Sequence, residues 1–444
     1  MQQTSDRTPL PTARRAWIYA LASVSIIGGG TALAHAETYE VKAGDSWEAL
    51  ADKLVAGDEI VLLEGVHRPA ILSGLEGTRE QPIVIRSWAR SKLAEIAPDR
   101  EGLKLVDCRH VRVERVLVRN ARRAGIVIEG SAPGRCEGIA VHDSLVVGVA
   151  GLAEQAGVLV SGAADVEIQR SRFDECRGSA VHLENARGVR AERLQMRAQK
   201  ECTFGILLLG RTTDVEFNDA WIAGRMQTAV SIGVKDAPVR GEPTAPIRLP
   251  EPVRGPQPTD EGAATPTQEG ATPPATSPAA ATDAVEQRDD DAPSQAARVE
   301  NAAFTQLLIH SAPRAFEFGS CALVNIGNST IVDPTESVFR LVRVPKEVPA
   351  AGVRFHDNIV AWTPGRLKEF TSVIEGAATD GLRLGPNIWW SNELPAALPL
   401  LGPEENPFQA TTEVPQTIDL DPDLDDRSRP LEERAKFFGR SPAA

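Results

Sequence analysis

Two short apolar patterns recur along this chain, about one pair every 25 residues. In the first pattern a Gly, Ala or Val leads a mostly apolar strand. Its copies begin at Gly125, Gly157, Ala180, Gly205, Ala229, Ala315 and Val338. A repeat this short cannot bury its own hydrophobic face, so consecutive repeats have to stack on one another. The pattern therefore predicts an all-β solenoid.

The second pattern is an eight-residue run in phase with the first. Its first and third residues are apolar and its second and fourth are mostly polar, which is the period of a strand with one face buried. The runs begin at Val111, Ile139, Val166, Val189, Val215, Val324, Val353 and Leu382. The sixth residue is often small and polar: Ser144, Ser171, Ser329, Asn358, Asn387. We expect these side chains in a bend between strands, hydrogen-bonded to their equivalents one coil away.

One interval in the first pattern is much longer than the others, because residues 241–298 are inserted there. This stretch is rich in Pro, Ala, Thr, Glu and Asp and includes the acidic run Glu286–Asp291. Such a composition cannot bury enough apolar surface to offset the entropy of ordering. It predicts a disordered insertion between a first β-helix part (37–240) and the last coils with a C-terminal cap (299–444). The alternative is a spacer with its own partner.

The N-terminal 36 residues have the pattern of a signal peptide. Arg14 and Arg15 precede an apolar run that ends in Ala34-His35-Ala36, a small-x-small cleavage site. We expect a secreted or periplasmic protein with no stable membrane span after cleavage. The alternative is a membrane anchor, although the three glycines at 28–30 make the run a poor spanning helix.

The cysteine positions repeat from coil to coil. Cys108 and Cys136 each lie three residues before a second-pattern strand, and Cys176 and Cys202 lie four and three residues before first-pattern strands. Stacked equivalents would bring their Cα atoms near disulfide range. The spacing predicts Cys108–Cys136 and Cys176–Cys202 disulfides with Cys321 unpaired. The alternative is five reduced, buried thiols.

The beginning of the solenoid needs a cap, because an open end exposes apolar interior and unpaired strand edges. Asp45 followed by Glu48 has the pattern of a helix N-cap. Trp47, Leu50 and Leu54 would then share one face of a short helix. We expect this N-terminal capping helix to cover the first coil.

The runs at 56–67 (AGDEIVLLEGVH) and 77–85 (GTREQPIVI) carry a family resemblance. They resemble the opening of secreted bacterial right-handed parallel β-helix proteins of the pectin-lyase-like fold, most of all the chondroitinase-B and alginate-lyase type. The resemblance extends over about residues 38–240 and 299–443. It implies a right-handed winding. For lyases of this type it also implies cleavage of uronate polysaccharides by a Lys/Arg pair, often with calcium.

The outward positions of the first pattern hold the candidate site residues. His182 and Glu184 share one coil and Lys200 lies in the next turn, which makes these three the catalytic candidates; the alternative is a surface pair beside a solvated lysine. Glu317 and Arg340 occupy one register on adjacent coils. Together with Trp362 they are candidates for binding glycan. The alternatives are a plain cross-strand ion pair and a tryptophan that covers the solenoid end.

The net charge and the spacing of possible metal ligands narrow the classes of function that the sequence allows. The formal net charge of −13 argues against a nucleic-acid partner. No carboxylate cluster is dense enough for calcium, so no metal or cofactor is expected, with calcium the exception for a lyase. We expect a monomeric secreted protein that binds or scaffolds polysaccharide or cell-envelope glycan. The alternative is a polysaccharide lyase or glycoside hydrolase with a diverged active site, and whether the protein is an enzyme stays open.

Overall fold

The computed structural model describes residues 36–89, 91–97, 100–150, 155–234, 298–344, 347–363, 365–374, 377, 379, 381–385, 387–391 and 408–410. These residues form one parallel β-solenoid. The predicted signal peptide (1–36) and insertion (241–298) lie outside them except for Ala36 and Arg298, and most of the predicted C-terminal cap lies outside them as well. Among the described residues, no helix is long and apolar enough to cross a membrane.

The strands of the described part are numbered in chain order. The first half comprises β1 (Thr38–Val41), β2 (Glu59–Leu62), β3 (Val66–His67), β4 (Ala70–Ser73), β5 (Ile83–Ser87), β6 (Ala94–Ile96), β7 (Glu101–Val106), β8 (Val111–Glu114), β9 (Val116–Arg119), β10 (Ala124–Glu129), β11 (Ala140–His142), β12 (Leu145–Val147), β13 (Ala156–Ser161), β14 (Glu167–Gln169), β15 (Arg172–Asp174) and β16 (Ser179–Glu184). The second half comprises β17 (Arg187–Leu209), β18 (Thr213–Ile232), β19 (Val299–Thr305), β20 (Leu308–His310), β21 (Arg314–Phe318), β22 (Cys321–Gly327), β23 (Thr330–Val332), β24 (Ser337–Leu341), β25 (Val353–His356), β26 (Ile359–Ala361), β27 (Glu369–Val373), β28 (Leu382–Leu384), β29 (Asn387–Trp390) and β30 (Phe408–Ala410).

Most coils contribute one strand to each of three parallel stacks. Stack A runs through β1, β2, β5, β8, β11, β14, β17, β18, β19, β22, β25 and β28. Stack B runs through β3, β6, β9, β12, β15, β17, β18, β20, β23, β26, β29 and β30. Stack C runs through β4, β7, β10, β13, β16, β17, β18, β21, β24 and β27, the long strands β17 and β18 passing through all three. The first sequence pattern is stack C and the second is stacks A and B, so the predicted parallel solenoid is confirmed. Its right-handedness stays a prediction, one that nearly all parallel crossovers follow.

A single bent residue divides the eight-residue run between stacks A and B. In the first clear copy β8 ends at Glu114, Arg115 has a φ of 54°, and β9 begins at Val116. The fifth position also has positive φ in the copies that begin between Ile139 and Val353, and so does the equivalent residue of the β19 coil: Asp143, Arg170, Arg193, Asp219, Gln306, Asn328 and Asp357. A left-handed residue at this position turns the chain sharply, and this recurring turn separates the two strand directions.

The small polar residue after that bend forms the predicted ladder. The Ser144 N–H donates to Ser171 Oγ (3.2 Å). The Ser329 N–H donates to Asn358 Oδ1 (2.9 Å), and the Asn358 N–H donates to Asn387 Oδ1 (3.0 Å). These side chains are buried, so they satisfy backbone donors that the bend leaves out of the strand pairing. The ladder prediction is confirmed.

The prediction of a capping helix with Asp45 as its N-cap is wrong. The segment is a 3-10 helix, Glu48–Lys53, whose N-cap position is Trp47 and which has no side-chain cap. Trp47 itself is fully buried, and its indole Nε1 donates to the carbonyl of Arg68 (3.0 Å). Since Trp47 is drawn into the core before the helix begins, Asp45 does not cap it. Leu50 and Leu54 pack partly buried against the same core.

The disulfide prediction is also corrected, because all five cysteines are buried free thiols. Cys108 and Cys136 do share a register, as the neighbouring Arg109–Glu137 bridge shows. Equivalent residues on parallel coils are separated by the strand spacing of about 4.8 Å, whereas a disulfide needs Cβ atoms about 3.5–4.5 Å apart. Burial instead raises the pKa of the Cys136, Cys202 and Cys321 thiols to about 12.

Candidate functional site

A groove of about 470 Å³ lies on the outer face of stack C, over the coils of β18, β21, β24 and β27. We call it the stack C groove. Its charged lining is Arg314, Glu317, Glu336, Arg340 and Glu369, and its hydroxyl lining is Thr203, Thr228, Ser337 and Ser372.

Two rows of side chains form the floor of the groove because two positions per strand face outward. One row is in register across four coils: Thr228, Arg314, Ser337 and Glu369. The second row, three residues further along each strand, is Ser231, Glu317, Arg340 and Ser372. Parallel coils repeat about every 4.8 Å, so a long ligand lying along the solenoid axis would meet the same two positions on each coil.

Glu317 is the centre of the groove's charge network. Its side chain is only 1% exposed. Oε1 lies 3.0 Å from Arg340 Nη1 and 3.7 Å from Arg314 Nη1, while Ser231 Oγ donates to Oε2 (3.3 Å). Arg314 Nε also donates to Glu336 Oε2 (2.9 Å). One guanidinium therefore contacts two carboxylates, and one buried carboxylate contacts two guanidiniums.

Three buried polar atoms of the groove have no hydrogen-bond partner. They are Oε1 of Glu317, Oγ1 of Thr228 and Oγ of Ser337. The contact between Glu317 and Arg340 is thus an ion pair without hydrogen-bond alignment. A buried polar atom left without a partner costs about 1–3 kcal/mol. Each of these atoms is sealed from solvent, so a ligand can bond either hydroxyl only after the side chain turns towards the groove.

The catalytic candidates lie outside this groove, on earlier coils. His182 is 5% exposed and neither ring nitrogen has a hydrogen-bond partner, and burial lowers its pKa to about 4. Glu184 is half-buried and Lys200 is exposed. The backbone N–H of Lys200 donates to Glu175 Oε2 (3.1 Å). In the described part of the chain, no hydrogen bond or ion pair joins the three, so their catalytic role stays a prediction.

Of the glycan-binding candidates, the structure brings two together. Glu317 and Arg340 are in register on β21 and β24, as predicted, and both line the stack C groove. Trp362 does not. Its ring is 7% exposed and packs edge-on against Phe370, with ring centroids 5.0 Å apart. A ring inside the core cannot stack on a sugar, so the glycan-binding assignment of Trp362 is corrected.

Four residues of the groove were not predicted from the sequence: Arg314, Glu336, Thr228 and Ser337. Thr228, Arg314 and Ser337 each stand directly before a lead residue: Ala229, Ala315 and Val338. The predicted outward positions all follow the lead residue. The register of that preceding position was readable in the repeat, so this row could have been found. Nothing in the pattern would have paired Glu336, in the turn before β24, with Arg314.

The described residues contain no group of three or more His, Cys, Asp or Glu side chains arranged to hold a metal ion. The lyase-type calcium that the resemblance implied therefore has no ligand cluster among them. The side chains facing the groove are arginines, carboxylates and hydroxyls, and these can hydrogen-bond and ion-pair with a polar ligand directly.

The chain matches no family model and no curated protein. Solved structures with a similar fold include an alginate lyase from Paenibacillus sp. str. FPU-7 (11% identity, 79% of this chain and 99% of that chain covered, TM-score 0.43). Pectate lyase Pel9A (11%, 79% and 79%, 0.45) and a rhamnogalacturonan lyase (12%, 79% and 87%, 0.45) are also similar. At these identities and scores no activity or substrate carries over to this chain.

Proposed function

We propose that this protein binds a hydroxyl-rich glycan, a polysaccharide or cell-envelope chain, in the stack C groove. The observation that carries the proposal is the polar lining of this groove, which repeats in register from coil to coil as Thr228, Arg314, Ser337 and Glu369. Sugar hydroxyls both donate and accept hydrogen bonds. They can therefore bond hydroxyl, carboxylate and guanidinium groups in the same groove.

The charge of the groove favours a neutral sugar chain. Its lining has two arginines and three glutamates, and both arginines form ion pairs with Glu317 or Glu336. A uronate or sulfate group would have to compete with those carboxylates for the guanidiniums. Sugar hydroxyls can instead bond the outer edges of the existing pairs. This is the reason for preferring neutral saccharide over polyanion at this position.

Binding rather than catalysis is favoured by how Glu317 is held. Both of its oxygens already contact cations or a hydroxyl donor, and no His or Lys lines the groove among the described residues. General acid–base catalysis needs a group free to exchange a proton with the substrate. Glu317 in this network positions ligand more readily than it transfers a proton.

Glycoside hydrolysis is the second candidate because Arg314 contacts both Glu317 and Glu336. A pair of carboxylates across a groove is the arrangement that most glycosidases use. Incubating the protein with a panel of neutral and acidic glycans and assaying for new reducing ends distinguishes the two functions. Turnover that is lost in both Glu317→Gln and Glu336→Gln would favour hydrolysis over binding.

The binding proposal is tested with Thr228→Val and Ser337→Ala on a panel of neutral and acidic glycans. Neither hydroxyl has a partner in the free protein, so the variants should fold as stably as the parent. Binding of the best neutral glycan should weaken about fivefold to tenfold per variant, the range for one lost hydrogen bond. Titration calorimetry measures this.

Thr330→Val is the matched control. Thr330 is also buried with an unpartnered hydroxyl, but it lies on β23 in stack B, away from the groove. It should leave glycan binding unchanged. The proposal fails where no glycan on the panel binds, or where Thr228→Val binds as tightly as Thr330→Val.

A further inference from the structure

A second cavity, of about 480 Å³, lies beside stack A at the last coils and is lined by three arginines. We call it the arginine pocket. Arg298, Arg354 and Arg383 supply its charge, and the chain from Val348 to Gly352 together with Gly381 supplies its wall. Among the described residues that line it there is no carboxylate. The pocket is therefore positively charged, unlike the stack C groove.

Two of these arginines are placed against each other. Arg354 and Arg383 are directly paired in the register of β25 and β28, on strands about 4.8 Å apart. Like charges in such positions repel and destabilise the sheet. Both residues are exposed, and no hydrogen bond or ion pair joins either of them to another of the described residues. Nothing that the structure describes offsets their repulsion.

Earlier coils place the same kind of residue differently. Arg190 occupies the same outward register of stack A, but its neighbours one coil away on each side are Glu167 and Glu216. Alternating signs along a stack are stabilising. The arginine pair at the last coils therefore lacks the carboxylates that the same surface supplies elsewhere.

The insertion at 241–298 returns to the solenoid at the edge of this pocket. Its last residue, Arg298, directly precedes β19, and Arg298 Nη2 donates to the carbonyl of Cys321 (3.2 Å). The acidic run Glu286–Asp291 ends seven residues before Arg298 and contains four carboxylates and one arginine. The pocket thus has a source of carboxylates joined to it by a short length of chain.

The connection is long enough for the run to reach all three arginines. Seven extended residues span up to about 25 Å. β19, β22, β25 and β28 are consecutive in stack A, so the distance across the stack from β19 to β28 is about 14 Å.

The connection also selects this run over free anions. Guanidinium groups bind any carboxylate through charge-assisted hydrogen bonds, so the lining of the pocket does not choose among them. A short flexible tether, however, holds a ligand at an effective concentration on the order of millimolar without any additional contact. The four carboxylates of the run have this advantage whatever else is in solution.

We propose that the acidic run Glu286–Asp291 docks in the arginine pocket of the same chain. The docked carboxylates neutralise the like charges of Arg354 and Arg383, and they hold the end of the insertion against stack A. This interaction goes beyond the glycan groove of stack C and does not depend on it.

Zero-length cross-linking of the full chain tests the contact. Arg354→Lys places a primary amine in the pocket, and a carbodiimide joins an amine to a carboxylate only where the two touch. At low salt, peptide mapping by mass spectrometry should find the introduced amine joined to a carboxylate of the run Glu286–Asp291. Raising the ionic strength from about 0.01 M to about 1 M shortens the screening length from about 30 Å to about 3 Å, so the yield should fall severalfold.

Arg190→Lys is the matched control for the cross-linking. It places an amine in the same outward register of stack A, between Glu167 and Glu216. That amine should join to those two glutamates and leave the acidic run unmodified. A mixture of isotope-labelled and unlabelled protein shows whether each cross-link lies within one copy, as the proposal requires.

Unfolding in urea tests the energetic consequence. The triple variant Asp289→Asn, Asp290→Asn and Asp291→Asn leaves the arginine pair without its counter-charges, so its urea midpoint should fall by about 0.3 M. In a background that carries Arg354→Gln and Arg383→Gln, the same triple variant should have no effect. The matched control removes three charges from another part of the insertion and should leave the midpoint unchanged: Asp260→Asn, Glu261→Gln and Glu269→Gln.

Four results would overturn the proposal. In the first, the amine of Arg354→Lys does not join to the run at low salt, which leaves the pocket to a separate anion. In the second, the cross-links connect two copies, which makes a second copy the occupant. In the third, the amine of Arg190→Lys joins to the run as efficiently as that of Arg354→Lys. In the fourth, the triple Asn variant lowers the urea midpoint equally with and without the two arginines, which places the run elsewhere.

Discussion

The earlier coils, from β8 to β16, and the later coils, from β19 to β27, are built on one repeat but differ in what fills and faces each position. At the third position of stack A the earlier coils place Val113, Val141 and Ile168. The later coils bring Phe304 and Phe355 to that register. On the outer face of stack C, Val127 and Leu159 give way to Glu317 and Arg340.

The inward register tolerates only apolar side chains, whereas the outward register is free to carry polar ones. Val127 and Leu159 are buried with Ala124 and Ala156 in a small apolar cluster of their own. The charged network around Glu317 occupies the equivalent outer positions further along the same stack. Most of the stack C groove lies on the later coils, so its polar side chains are concentrated where the outer face departs from the apolar pattern.

The largest expected difference between the two regions is in the core. Phe316 is fully buried, with ring centroids 6.2 Å from Phe318, 6.4 Å from Phe339 and 6.0 Å from Phe355. Phe316→Ala should lower the free energy of unfolding by about 3–5 kcal/mol, because it removes the ring and leaves a cavity. Urea unfolding followed by circular dichroism measures this.

Val158→Ala is the control on an earlier coil. Val158 has the same stack C register as Phe316, through Val181, Ile206 and Val230. Val158→Ala should lower the free energy of unfolding by roughly 2 kcal/mol, because it removes less buried apolar surface than Phe316→Ala does. Equal costs for the two substitutions would mean that the aromatic filling of the later coils adds nothing to their stability.

A smaller difference is expected in the ladder at the bends. The Asn358 side chain accepts from the Ser329 N–H (2.9 Å) and donates to the Ile326 carbonyl and to Asn387 Oδ1 (both 3.1 Å). Asn358→Ala leaves these buried groups unpaired, so it should lower the free energy of unfolding by about 2–3 kcal/mol.

Ser144, at the equivalent bend of an earlier coil, makes weaker bonds. Its hydroxyl donates to the His142 carbonyl (2.9 Å) and accepts from the Val116 N–H at a long 3.4 Å. Ser144→Ala should cost about 1 kcal/mol. If Ser144→Ala proved as destabilising as Asn358→Ala, the serine and asparagine bends would be equivalent and the later coils would have no stronger ladder.

The architecture could be predicted from the sequence because the spacing and alternation of the repeat indicate the stacks, the bends and the ladder. The register of Glu317 with Arg340 followed from the same counting. The cap was less readable, because the N-cap pattern at Asp45 cannot show that Trp47 is drawn into the core. The disulfides were predicted from register, but register fixes which residues are neighbours and leaves the distance between Cβ atoms to the strand spacing.

The sites were harder to predict for a physical reason. An outward side chain can lie in a groove, in a solvated face or under other chain segments, and alternation does not distinguish these. His182 was chosen because it faces outward, yet it is buried between Leu159 and Leu207.

The smallest expected effect concerns His182, the polar member of the otherwise apolar run of stack C. Burial lowers its pKa to about 4, from an ordinary value of 6.5. Because the folded protein binds the proton less tightly than the unfolded chain, the neutral ring is favoured in the fold above pH 6.5. That stability is lost as the pH falls from 6.5 towards 4.

His182→Leu places at this position the residue found in register on both neighbouring coils, Leu159 and Leu207. It removes two ring nitrogens that have no hydrogen-bond partner, so stability at pH 7 should be unchanged or higher. At pH 5 the variant should gain a further 1–2 kcal/mol or so over the parent, since it has no ring to protonate. Urea unfolding of both proteins at pH 7 and pH 5 measures this. Two outcomes would contradict this prediction: His182→Leu is less stable than the parent at pH 7, or its gain in stability is the same at both pH values. Either would mean that His182 contacts solvent or a partner and that the outer face of the earlier coils is not apolar at this position.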